Sequence, residues 1–401
     1  MLTPDEAEKA ILDHMAPFLR EDCPLEAAHG RVLRADVRAD RDLPPFDRVT
    51  MDGYAVRTAV IAAGTRTFRI EGTQAAGMRA LKLSPVEHAC VEVMTGAVLP
   101  EGADAVVPFE QTTRDGDVVT LAAGVAPPAG FSIHRRRSDH AAGEVVVPAG
   151  RRISGREIAV AASVGASTLT VSAQPKIAVV VTGDELVEVD DAVGPHQIRR
   201  SNDHAVRAAL IAAGFPRVER FHLRDLPSEI EHRLWHILAE YDAVLLTGGV
   251  SKGKFDFMPA ALAAQGVREV FHGVAQRPGK PFWFGVTSHH KPVFALPGNP
   301  VSAYTCLHRY VLPALAHASG IVAPAPRLVA LATPVNFAPP LAYLLPVRLG
   351  SGPHAELLAT PDPSNTSGDF AGLIGTDGFV ELPADRTAFP IGTVARYFAW
   401  V

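Results

Sequence analysis

The chain of 401 residues is 47% hydrophobic and 20% charged, with a formal net charge of −5. Its length exceeds what one hydrophobic core serves, so roughly two to four domains are expected. The balance of charge and hydrophobicity excludes a disordered or strongly basic chain and argues against nucleic acid as a partner.

Taken in chain order, Thr3 as N-cap, Pro4 at the first helical position and apolar Ala7, Ala10, Ile11 and Met15 predict a helix over residues 3 to 20. From 42 to 147 the pattern becomes short alternating strands broken by Gly and Pro, near 66–71, 90–94, 105–109 and 117–121, a β-rich insert. A mixed segment at 154–170 includes a small-residue helix over 157–163. The largest domain starts near Gln174-Pro175 with a β-branched strand at 176–181, followed by a helix at 202–213 closed by Gly214 and a strand at 218–223. A Ser228-x-x-Glu231 capping box is expected to open the helix that runs to Glu240. A strand at 243–246, a helix at 257–265, strands near Phe271 and Phe282, a strand at 293–296 and a helix from Pro300 to about His317 complete it.

Strands alternating with helices indicate a parallel sheet covered on both faces, the doubly wound α/β class. After Gly320 a Pro-rich linker leads to short strands over 327–401, read as a small β-barrel or sandwich. The expected fold class is α/β plus all-β, multidomain, divided as 1–41 with 140–173, 42–139, 174–320 and 321–401.

Cys23, Cys90 and Cys306 are odd in number and far apart, which supports neither a disulfide framework nor a thiolate zinc site. Residues 1 to 10 carry Asp5, Glu6, Glu8 and Lys9 without the basic start and apolar run of a signal peptide, and no apolar run reaches membrane-spanning length. A cytoplasmic protein is expected.

Three glycine-rich loops fall within 244–303: Gly248 and Gly249 with Ser251, Lys252, Gly253 and Lys254; Arg277, Gly279 and Lys280; and Pro297, Gly298 and Asn299. Each follows an apolar run, and loops at strand C-termini gather on one edge of a parallel sheet, where ligands bind. Glycines bring backbone N–H groups close to a phosphate or oxyanion, and the lysines and arginine supply balancing charge. Gly248-x-x-x-x-Gly253-Lys254 fails as a P-loop, because Phe255 stands where Ser or Thr must hold magnesium. Asp256 is either a helix cap or a carboxylate that holds a metal. Thr182, Gly183, Asp184 and Glu185 follow the first buried strand; the acids are either a solvated turn or magnesium ligands beside the phosphate loops. In the insert, Asp52-Gly53 reads as a hairpin turn or a functional motif, Thr95-Gly96 as a strand end or the same, and Arg135 to Arg137 as an exposed charge run before Asp139.

The segments PPFDRVTMDGYAV, MTGAVLPEGADAVV, VVTGDEL, LLTGGVSKGKFD, QRPGKPFWFG and ALPGNPVSA occur in the order found in the MoeA family. Across nearly its whole length the chain therefore resembles these molybdopterin molybdenumtransferases, relatives of the gephyrin C-terminal domain. The resemblance implies a molybdopterin-binding α/β domain, an N-terminal linker and dimerisation domain, and a homodimer whose site lies between the α/β domain of one subunit and the insert of the other. It implies that adenylylated molybdopterin and molybdate, with Mg2+, give AMP and a molybdenum-loaded dithiolene.

Positions matching the family's functional residues are Asp52, Thr95, Asp139, Glu185, Asp256, Lys280 and, in the last domain, Ser367. The implied roles place Glu185 and Asp256 on magnesium and Lys280, Arg277 and Thr95 on molybdate; Asp52 and Asp139 position water, metal or a basic neighbour. Thr182, Gly183, Asp184, Gly248, Gly249, Ser251, Arg277, Gly279, Pro297, Gly298 and Asn299 join Asp139 and Ser367 as candidates for substrate binding. Three departures stand out: Arg200 replaces an acidic or amide residue, Arg137 a glycine, and Leu345 or Pro346 an arginine. A gephyrin-like scaffold and the related adenylyltransferase are the competing readings.

Overall fold

The computed structural model describes residues 1–248 and 258–401. The main sheet of its α/β part has six strands: β1 (Ile177–Thr182), β2 (Val218–Leu223), β3 (Ala243–Thr247), β4 (Arg268–His272), β5 (Trp283–Val286) and β6 (Pro292–Leu296), in the order β2-β1-β3-β6-β5-β4. Strand β1 is buried throughout and its side chains alternate between two cores, Ile177 and Val179 in one, Ala178 and Val180 in the other. That alternation is why a continuous β-branched run serves a sheet covered on both faces. Helix Asn202–Ala212 contributes Val206, Ala209 and Leu210 to the first core, and helix Pro227–Glu240 contributes Ile230, Leu234 and Ile237 to the second.

The sheet is not wholly parallel. Strands β2, β1, β3 and β6 pair in parallel, but β5 is antiparallel to both β6 and β4. The cause is the connection from β5 to β6: residues 287–291 are too few for a crossover, and a short link permits only antiparallel neighbours.

Two helices differ from expectation, the first in where it ends and the second in where it starts. The first helix spans only Pro4–Leu12, with the Thr3–Glu6 capping box formed. Pro17 lacks an N–H and disfavours helical geometry at Ala16, and the chain instead enters strand Arg20–Pro24. Helix Pro227–Glu240 is capped at Leu226 without a side-chain bond, so Ser228 lies inside the first turn and its capping box does not form. A Ser154–Glu157 box caps Gly155–Ser163 instead. The last helical run of the α/β part passes from Pro300–Cys306 through a π-turn at Leu307–Val311 to Leu312–Ala318. The π-turn ends two residues before Pro313, which cannot donate into the ladder.

Arg20–Pro24 pairs with Thr168–Ser172, and Val37–Arg38 with Val145–Val147, so the segments flanking the insert share one core. The insert forms a six-stranded sheet. Within it, Gly53 begins strand Gly53–Val56 and is not a turn residue; a Cβ there would overlap the Val107 carbonyl. The C-terminal sheet closes, because Ala342–Ser351 pairs with both Leu357–Pro361 and Gly378–Leu382. That makes it a barrel rather than a sandwich. The barrel docks on the α/β part twice. Gln276–Arg277 joins the sheet in parallel beside Ala342 and Tyr343. Arg309, wholly buried, pairs with Glu381 at 2.6 Å, Glu8 at 2.8 Å and Asp5 at 3.4 Å. Burial works against that charge, but Glu381 and Glu8 outweigh it and raise its pKa above the ordinary arginine value. Cys23, Cys90 and Cys306 are free and buried, and among the described residues no helix is long and apolar enough to cross a membrane.

Candidate active site

The chain leaving β1 at Gly183, β3 at Gly248 and β6 at Pro297 meets at one edge of the sheet, where the strand order reverses around β1 and β3. Gly248 has φ 93°, and a Cβ on it would stand 3.0 Å from the Thr182 carbonyl oxygen; one on Gly298 would stand 3.6 Å from the Gly248 Cα. At Gly248 the left-handed φ and the close approach call for glycine, whereas a Cβ on Gly298 would make an ordinary contact. Asn202, at the start of its helix, ties the loops together: its Nδ2 donates to Thr247 Oγ1 and to the Gly298 carbonyl, both at 2.8 Å.

These loops line a cavity of about 740 Å³ that includes Thr182, Gly183, Glu185, Gly248, Pro297, Gly298 and Asn299. Glu185 folds back on Gly183, whose φ is 140°. Asp184 does not line the cavity; it accepts from the Asp225 backbone N–H at 3.2 Å, and Asp225 lines it instead. Burial, then the neighbouring charge of Asp184, raises the pKa of the Asp225 carboxyl, and Glu185 pushes it the same way.

A second cavity, about 340 Å³, shares Pro281 and Asn299 with the first and takes in Arg277, Gly279, Lys280 and Ser367. Gly279 has φ 92°, and a Cβ there would stand 2.5 Å from Cys306 Sγ. Beneath this loop buried Gln276 accepts from the Tyr310 hydroxyl and donates to Cys306 Sγ at 3.5 Å. Ser367 reaches across from the C-terminal segment: its Oγ accepts from Asn299 Nδ2 at 2.8 Å and its carbonyl from Val301 N–H at 3.1 Å. Strand alternation sends Leu345 into the barrel core and leaves Pro346 facing the cavity, so no cation enters from that strand position.

The insert's candidates form their own group. Asp52 accepts from the Thr95 backbone N–H at 2.6 Å and from its hydroxyl at 2.7 Å, which hold its carboxyl below the usual carboxylate range. The Thr95 hydroxyl proton is thus committed to Asp52. Asp139 accepts from His134 Nε2 at 2.8 Å, with Arg48 3.1 Å from the other ring nitrogen. Arg137 has φ 68°, a left-handed position that explains why glycine suits the site. No residue of 42–139 lines either cavity. Gly249, Ser251 and Asp256 lie outside the described residues, and among those described no group of three His, Cys, Asp or Glu is arranged to hold a metal.

Sequence reasoning missed Asn202 and Asp225. Asp225 follows β2, the parallel neighbour of β1, so the argument that singled out Thr182 to Glu185 reaches it too.

An α/β domain with this loop edge, set between β-rich segments, has a recognisable class. Residues 178–317 match a family described as a probable molybdopterin binding domain. Residues 2–165 match the MoeA N-terminal region (domain I and II), and 329–400 the MoeA C-terminal region (domain IV). The chain is 38% identical to the molybdopterin molybdenumtransferase of Synechocystis sp. over the whole of both chains. To that of Staphylococcus epidermidis it is 30% identical, over 97% of this chain and 93% of the relative. A crystal structure of the molybdopterin biosynthesis MoeA protein of Pyrococcus horikoshii covers all of both chains with a TM-score of 0.85 at 25% identity. The chain belongs to the MoeA family of molybdopterin molybdenumtransferases.

Proposed function

We propose that this molybdenum cofactor biosynthesis enzyme takes adenylylated molybdopterin and molybdate, cleaves the phosphoanhydride to release AMP, and transfers molybdenum to the dithiolene. The observation that carries the reading is the pair of adjoining cavities. The larger one is walled by glycine-rich backbone, Thr182 and Asn202, suited to phosphates, and the smaller presents Lys280, Arg277 and Ser367, suited to a tetraoxo dianion.

The donor set fits magnesium. Glu185 and Asp225 offer carboxylate oxygens to the cavity, and burial first, then the charges of Asp184 and Glu185, raise the pKa of Asp225, a charge burden that a divalent cation would relieve. Glu185 and Asp256 would hold it, with Asp225 nearby; when bound, magnesium supplies charge neutralisation at the phosphates. The protein's own groups do the positioning. Asn202 ties the end of β3 to the loop after β6, Lys280 and Arg277 offer charge-assisted donors, and Gly279 lets their loop lie against Cys306.

Asp52, Thr95 and Asp139 face solvent away from both cavities, which supports a homodimer in which a second copy's insert completes each site. The test is AMP release from adenylylated molybdopterin with and without molybdate; absence of molybdate-dependent release overturns the chemistry. Mixing inactive Asp52→Asn and Lys280→Ala chains tests the shared site. Random heterodimers then carry one intact site each, restoring about a quarter of wild-type turnover. No recovery means that both residues act within one chain.

A further inference from the structure

Arg200 immediately precedes the Ser201-Asn202 start of the helix that ties the loops together. It is 7% exposed and lines the larger cavity. Its Nη2 pairs with Glu188 Oε1 at 2.6 Å and lies 3.5 Å from Asp203 Oδ2. Asp203, wholly buried, has a second cation in Arg220, whose Nη1 stands 3.1 Å from the same oxygen and 2.6 Å from His204 Nε2. Arg200 is therefore not needed alone to neutralise Asp203. Glu188, its other partner, is 56% exposed and partly screened by solvent.

Two buried atoms of this cluster have no partner, Arg200 Nε and Asp203 Oδ1. A buried N–H on a charged group is costly to leave unmade, so an unfilled one beside a cavity marks a place for a ligand or water. The cavity's other lining cation among the described residues is exposed Arg199, whereas Glu185 and Asp225 make part of its wall acidic. Lys280 and Arg277 line the smaller cavity. Arg200 is thus the one buried cation among the described residues around the larger cavity.

We propose that Arg200 binds substrate: its guanidinium, anchored through Nη2 on Glu188 and Asp203, donates Nε–H to an oxoanion oxygen in the larger cavity. The inference rests on that cavity being the substrate site. The oxygen belongs to a phosphoryl group or to molybdate, which offer the same acceptor chemistry. Arginine suits the task because its rigid fork lets Nη2 be held by carboxylates while Nε–H stays free; a lysine ammonium has no such division.

The experiment titrates the full-length protein calorimetrically with AMP and, separately, with molybdate, in magnesium-containing buffer. Wild type is compared with Arg200→Gln, Arg200→Lys and Arg220→Gln, and the thermal midpoint of each is recorded. Arg200→Gln is expected to bind one of the two ligands roughly 10- to 100-fold more weakly, and that ligand identifies the source of the oxygen. Arg200→Lys, which keeps the charge if the glutamine variant fails to fold, recovers only part of the loss. Arg220→Gln deprives Asp203 of a cation without lining the cavity and binds both ligands as wild type does. Unchanged binding of both ligands by Arg200→Gln overturns the role of Arg200 while the proposed reaction stands. An equal loss in Arg220→Gln overturns it too, since the effect then comes through Asp203. If wild type binds neither ligand, the reading of the cavity falls, and this inference with it.

Discussion

His308 couples the seating of the C-terminal residues to pH. It is 5% exposed, donates from Nδ1 to the Tyr304 carbonyl at 2.8 Å and accepts at Nε2 from the Val401 N–H at 3.2 Å. Trp400 packs on its ring at 5.0 Å. Burial lowers its pKa from 6.5 to about 4, and the Tyr304 bond acts in the opposite direction. Between those values the unfolded chain binds a proton that the folded protein does not. Stability is therefore fully present above pH 6.5 and is lost as pH falls toward 4. Each tenfold difference in proton affinity between the folded and unfolded chain is worth about 1.4 kcal/mol, so the loss attributable to His308 between pH 7.5 and pH 4.5 is about 2.5 kcal/mol. Carboxylates titrate in the same range, so the measurement is a difference: urea unfolding followed by tryptophan fluorescence at both pH values, for wild type and His308→Gln. The wild-type drop should exceed the variant's by about 2.5 kcal/mol. A difference below roughly 1 kcal/mol refutes the assignment of a neutral, buried imidazole.

Two further outcomes follow from the packing. Arg309→Met removes a wholly buried guanidinium and leaves Glu381 with Arg396 as its cation, costing about 2–3 kcal/mol in chemical denaturation, less than a fully orphaned buried charge; a change under about 0.5 kcal/mol shows the cluster to be energetically idle. Gly279→Ala forces a Cβ to within 2.5 Å of Cys306 Sγ at a φ of 92°, displacing the loop that carries Lys280. Molybdate-dependent turnover should fall at least about 10-fold with the circular dichroism spectrum unchanged, and full turnover shows that the loop adapts.

Where a feature depends on neighbours in sequence, the chain declares it. The β-branched run of β1, the Thr3–Glu6 box, the closing Gly214 and the strand β2 at Val218–Leu223 are local, because side-chain periodicity and capping act within a few residues. Gly248 after β3 and Pro297-Gly298 after β6 are legible for the same reason, since each directly follows its own strand. Gly248 and Gly298 come together on one edge because β3 and β6 run parallel, whereas the Arg277–Lys280 loop lines the adjoining cavity.

The rest needed three dimensions. Ser228-x-x-Glu231 looks like a capping box, but Pro227 already starts the helix one residue earlier. Strand β5 reverses direction because of how few residues join it to β6. Asp225 enters the site only because β2 lies beside β1, and Thr95 turns its hydroxyl to Asp52 rather than leaving it for an anion. Arg200 reads in the sequence as a departure from a family pattern; burial against Glu188 and Asp203 with an unfilled Nε makes it a candidate ligand. Sequence thus determined which segments become strands, helices and tight loops, since those follow from backbone sterics and periodicity. Tertiary structure alone decided which polar atoms are satisfied and which remain free for substrate, because that depends on partners far apart along the chain.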